Sequence, residues 1–84
     1  MYKIEIIATT IGGDVIKRTA DAAKTNMTIT DAKEAAESIR DFIYKKDAYS
    51  FIVGDSVFFL KNLACVDVRV MERTAEEERW HYVN

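Results

Sequence analysis

Cys65 and His81 are the residues of this chain whose types first suggest chemistry, as nucleophile and general base. Covalent catalysis needs the two within hydrogen-bond reach of each other. Cys65 lies in an alternating stretch, and His81 is fourth from the end of the sequence. A buried, inert strand cysteine and an exposed tail imidazole are therefore expected, rather than a dyad. One Cys and one His also leave no metal-ligand spacing. Glu76, Glu77 and Glu78 are consecutive, and adjacent helical residues do not converge on one cation. They are expected to solvate a helix start and complement its dipole. Gly12-Gly13-Asp14 lacks both the GxGxxG spacing and the Gly-Lys-Ser/Thr of a phosphate-cradling loop, and Asp14 would repel phosphate. A turn is the expected reading. No catalytic, cofactor-binding or metal-ligating residue is assigned, and a non-catalytic role is expected.

Eighty-four residues suit a single domain, 1–84, with a small core that a partner chain would help to stabilise. Sixteen Ile and Val against two Leu favour sheet, because β-branched side chains fit a pleated surface. The net charge is −2, which lacks the positive footprint of a nucleic-acid binder. A single cysteine allows no internal disulfide and suits a reducing compartment. The charged N-terminus does not fit a signal peptide, and no apolar run approaches the roughly 20 residues of a membrane span. A cytosolic protein is expected.

Residues 2–9 alternate as a strand with Tyr2, Ile4, Ile6 and Ala8 on one face. After the turn at 12–14, Val15–Arg18 reads as a short second strand, followed by irregular chain to residue 29. Ala32, Ala35, Ala36, Ile39, Phe42 and Ile43 form the apolar stripe of a helix over 31–46. Asp31 and Glu34 would cap its start, and Lys45 and Lys46 would suit its end. Residues 49–53 and 56–60 form a hairpin around Gly54-Asp55, where a leading glycine suits a type II′ turn. Lys61-Asn62 bends the chain into a strand over 64–71. Thr74 to Glu77 matches a second capping box, so Glu76–Tyr82 reads as a short helix or a frayed tail within 72–84. The expected fold is α+β: an antiparallel sheet of four to five strands, ending in a three-stranded meander, with one long helix packed on one face.

A two-residue turn sets the hairpin register. Phe51 then faces Phe58, Ile52 faces Val57, and Ser50 faces Phe59. Tyr49, Phe51, Val53, Phe58 and Leu60 fall on one side, and Ile52, Val57 and Phe59 on the other. Both sides are apolar, yet one helix covers only one. Ile52, Val57 and Phe59 are therefore the expected interaction surface. The occupant would be a second copy, most simply in a dimer, or a partner protein. A sheet edge would serve by strand addition. The competing expectation is that segment 14–29, or the C-terminal turn with Trp80, folds over this face. Size and class also suit a stoichiometric inhibitor or regulator of the kind carried by bacteriophage.

Ala48-Tyr49-Ser50-Phe51-Ile52 resembles the middle of the aromatic strand motif of RNA-recognition-motif domains. That family's pattern begins with a basic residue and glycine, where Asp47 and Ala48 stand here, and ends on a further aromatic, where Gly54 stands. It also lies on the third strand of a β-α-β-β-α-β order, so five matching residues of 84 do not establish membership. The resemblance implies an alternative role in binding single-stranded nucleic acid. Tyr49, Phe51 and Phe58 would stack on bases, and Lys45, Lys46 and Lys61 would meet phosphates.

Overall fold

The computed structural model describes residues 1–20, 27–45, 49–53 and 55–83. Strand β1 (Tyr2–Thr10) and strand β2 (Val15–Ala20) form an antiparallel hairpin. Alternation buries Ile4, Ile6 and Ala8 on one face of β1, as the sequence pattern requires. The connecting turn is closed by Thr10, whose N–H donates to the Asp14 carbonyl at 2.8 Å and whose Oγ1 accepts from Asp14 N–H at 3.0 Å. Gly13 has φ +93° there, a conformation that side-chain-bearing residues rarely adopt.

Helix α1 spans Ile29–Tyr44, and its start differs from the expected one. Thr28, not Asp31, is the N-cap. Its Oγ1 accepts from Asp31 N–H at 3.1 Å, while the Asp31 carboxylate accepts from Thr28 N–H at 3.2 Å. Asp31 thus supplies the reciprocal bond of the box instead of the cap, because a β-branched hydroxyl three residues earlier was available to start the helix. Ala32, Ala36 and Ile43 are buried, with Ile39 partly so. Phe42, expected on the buried stripe, is 54% exposed. It lies about 100° around the helix from Ile43, at the border of the stripe.

The main sheet has the order β2-β1-β5-β6, with β5 at Leu63–Glu72 and β6 at His81–Tyr82. Strands β3 (Ser50–Val53) and β4 (Ser56–Phe59) form a separate two-stranded sheet. The α+β class, the antiparallel sheet and the single long helix are as the sequence indicates. The hairpin, however, does not continue as a meander into β5. A single 3₁₀ turn, Leu60–Asn62, redirects the chain, and Ile11 N–H donates to the Asn62 carbonyl at 3.1 Å. β5 therefore pairs along β1, from Tyr2 opposite Glu72 to Thr10 opposite Leu63.

The helix expected over Glu76–Tyr82 does not form. Thr74 and Glu77 do meet, with Thr74 Oγ1 donating to Glu77 Oε1 at 2.9 Å, but they close a turn. The chain then pairs His81 and Tyr82 with Glu72 and Met71. An open edge of β5 offers ladder bonds that a short terminal helix would forgo.

Helix and hairpin share one face of the main sheet. Ile4, Ile6, Val66, Val68 and Val70 from the sheet meet Ala32, Ala36 and Ile43 from α1 and Phe51, Val53 and Phe58 from the hairpin. Cys65 points to the opposite face and is exposed, which corrects the expectation of a buried thiol. The alternation that buries Val66 turns its neighbour outward.

Candidate protein-interaction surface

The hairpin has the expected register: Ser50 opposite Phe59, Phe51 opposite Phe58, Ile52 opposite Val57, and Val53 opposite Ser56. Gly54, on which the proposed turn type depends, lies outside the described residues. Phe51 and Phe58 stack with ring centroids 5.1 Å apart and are each 6% exposed. They are the inward face. On the outward face Ile52 is 71% exposed, Val57 52% and Phe59 43%. These three residues are brought together on one face, as the alternation of side chains requires.

Tyr49 departs from its expected place beside Phe51. It is exposed, and its ring sits edge-on to Phe59 with centroids 5.9 Å apart. Its neighbour across the hairpin, Leu60, already belongs to the 3₁₀ turn, although Leu60 N–H still donates to the Tyr49 carbonyl at 3.1 Å. Strand alternation ends there, so the face assignment made by counting ends with it.

Phe42 joins this surface from α1, and sequence reasoning placed it in the core instead. A groove of about 580 Å³ runs between helix and hairpin, with Ile39, Phe42 and Ile43 on one wall and Phe51, Ile52 and Val53 on the other. Ile6 and Ala20 also line it. Only the borderline position of Phe42 in the helical stripe signalled this.

Among the described residues the C-terminal segment does not cover the hairpin. Trp80 and Tyr82 pack on the opposite face of the main sheet, against the charges that line it, and Val83 packs against the core beside α1. The Trp80 ring lies beneath Lys3 Nζ at 4.5 Å and the Arg73 guanidinium at 5.1 Å. Tyr82 lies 5.6 Å from the Arg69 guanidinium and donates its hydroxyl to Glu5 Oε1 at 2.8 Å. That hydrogen bond, with some burial and the Glu5 charge, raises the Tyr82 pKa. Arg69 in turn pairs with Asp67 at 2.8 Å, which raises its pKa further. Within segment 14–29, the other expected cover, residues 21–26 lie outside the described residues.

The edges of the main sheet are unequal. Ladder alternation directs the carbonyls of Val66, Val68 and Val70 to the side of β5 away from β1. All three are occupied. Tyr44 Oη donates to Val66 at 2.8 Å, Arg40 Nη2 to Val68 at 2.7 Å, and Val83 N–H to Val70 at 2.9 Å. Side chains and the tail of the same chain thus take the acceptors that strand addition along this edge of β5 would use. At the other end of the sheet, Arg18 Nε donates to Ser56 Oγ at 3.2 Å and ties β2 to the hairpin.

Two of the three expected stacking rings of the nucleic-acid set are buried. Phe51 and Phe58 present no open ring face, because each is buried against the other. Tyr49, Lys45 and Lys61 are exposed, while Lys46 and Ala48 lie outside the described residues. His81 pairs with Glu77 rather than with Cys65. The Thr74 hydrogen bond chiefly, and His81 after it, lower the Glu77 pKa. Among the described residues no group of three His, Cys, Asp or Glu side chains could hold a metal ion. Among them, too, no helix is long and apolar enough to cross a membrane. No family model, curated protein or solved structure matches this chain.

Proposed function

We propose that this protein is a non-catalytic interaction module that engages protein through the outer face of its β3–β4 hairpin. One observation carries the reading. The hairpin is apolar on both sides, and Phe51 and Phe58 supply the core with one side while Ile52, Val57 and Phe59 stay exposed on the other. A contiguous apolar patch costs solubility unless something occupies it, and such patches mark contact surfaces. The occupied edge of β5 favours the hairpin over strand addition there. A lone exposed thiol suits a reducing, cytosolic setting. The chain's small size suits a stoichiometric regulator.

A photo-crosslinking side chain at position 57 of the full chain tests this reading. Crosslinks to another polypeptide, a second copy included, are expected, and Ile52→Asp should abolish them without altering the circular dichroism spectrum. Crosslinks confined to the same chain, mapped to residues 21–26, would show that the chain covers its own surface and would end the proposal.

A further inference from the structure

The hairpin carries opposite charges at its two ends. Asp55 is exposed at the tip, and Lys61 is exposed in the turn at the base. The ion pairs among the described residues involve neither side chain. Five residues lie between them, four of them strand β4 and the fifth in the 3₁₀ turn, so they stand on the order of 15–20 Å apart. Between them the surface changes character. The cross-strand pair Ile52 and Val57 lies toward the tip, and the edge-on rings of Phe59 and Tyr49 lie toward the base. From tip to base the hairpin therefore runs acid, aliphatic, aromatic, base.

We infer that the occupant of this face is a second copy of the chain, packed face to face with the two hairpins antiparallel about a two-fold axis. The inference rests on the reading of this face as a contact surface and adds the partner and its orientation. Antiparallel stacking sets the aliphatic pair of each copy over the aromatic pair of the other. It also sets Asp55 of each copy over Lys61 of the other, and two-fold symmetry makes that contact twice. Parallel stacking would put Asp55 over Asp55 and Lys61 over Lys61, so charge selects the antiparallel arrangement. Stacked sheets lie about 10 Å apart, within reach of a lysine and an aspartate extended toward each other at the rim. At their exposures, Tyr49, Ile52, Val57 and Phe59 present on the order of 450 Å². That is more than half of the roughly 800 Å² per partner in a standard interface, and Phe42 across the groove with a polar rim would supply the rest.

Sedimentation equilibrium of the full chain tests this, with Asp55→Lys, Lys61→Glu, an equimolar mixture of the two, and Ile52→Asp. Wild type is expected to dimerise in the micromolar range. Each single reversal sets like charges together at both rim contacts and should weaken the dimer by about tenfold. Mixing the two variants restores both contacts, so a heterodimer of near wild-type affinity is expected. Within one chain the two residues lie too far apart for such rescue. A wild type that stays monomeric into the high-micromolar range would overturn the second-copy inference, leaving the contact surface to the crosslinking test. A dimer lost in Ile52→Asp but indifferent to both reversals would overturn the antiparallel arrangement alone. A dimer indifferent to Ile52→Asp would overturn the inference and the contact-surface reading together.

Discussion

Arg40 reaches from α1 to the backbone of β5, where its Nη2 donates to the Val68 carbonyl at 2.7 Å. One helical turn on, Tyr44 makes the same kind of bond to Val66. Two residues four apart on a helix fall on one side of it, and two carbonyls two apart on a strand point to one edge. The spacings match, so α1 packs on the sheet and closes its edge with the same set of contacts.

Removing these caps should have two effects. Arg40→Ala leaves the part-buried Val68 carbonyl without a charged donor and should cost about 1.5–3 kcal/mol in urea unfolding. Tyr44→Phe should cost about 0.5–1.5 kcal/mol. Combined, they open a strand edge, and light scattering should then rise with protein concentration at temperatures where either single variant stays clear.

Adjacent helix positions should behave very differently. Ile43 is buried, so Ile43→Ala should destabilise by about 2–5 kcal/mol and leave little folded chain. Phe42 is exposed at the groove, so Phe42→Ala should cost below about 1 kcal/mol. Thermal unfolding of the pair reads this contrast.

The two glycines of the first turn should separate as well. Gly13→Ala places a Cβ at φ +93° and should cost about 1 kcal/mol or more. At Gly12 an added Cβ would meet only Thr10 Oγ1, at an ordinary 3.8 Å, so Gly12→Ala should be close to neutral. Denaturant midpoints distinguish the two.

The C-terminal segment should loosen at both ends of the pH scale. The Tyr82 pKa is raised, so the neutral phenol that donates to Glu5 stabilises the fold. That contribution is complete below the ordinary tyrosine value and is lost as pH rises through the raised one. The Glu77 pKa is lowered, so its contribution is present above the ordinary carboxylate value and is lost as pH falls through the lowered one. Trp80 fluorescence should report both transitions. Tyr82→Phe should remove the alkaline one, and Glu77→Gln the acid one.

Where a residue's partners are near in sequence, the sequence was readable. Alternation placed Ile4, Ile6 and Ala8 inside, and the two-residue turn set Phe51 against Phe58 and Ile52 against Val57. Long-range choices were not readable. β5 pairs with β1 rather than β4: the bend at Lys61-Asn62 is legible, but no local pattern says that the 3₁₀ turn there carries the chain away from β4. The tail illustrates the same limit. Thr74 and Glu77 carry a helix-start signature, yet pairing with β5 and the Lys3–Trp80–Arg73 stack draw the chain into a strand. For the surface, Ile52, Val57 and Phe59 followed from counting alternate positions. Phe42 and Tyr49 did not, since one sits at a stripe border and the other at the end of a strand.

The most direct measurement is relaxation of the Ile52 and Val57 methyl groups by a soluble paramagnetic probe, recorded as the protein is diluted. Strong relaxation at the lowest concentration, falling as concentration rises, is the expected result. Methyl groups that stay shielded from the probe even in dilute, monomeric protein would mean that the chain seals this face by itself.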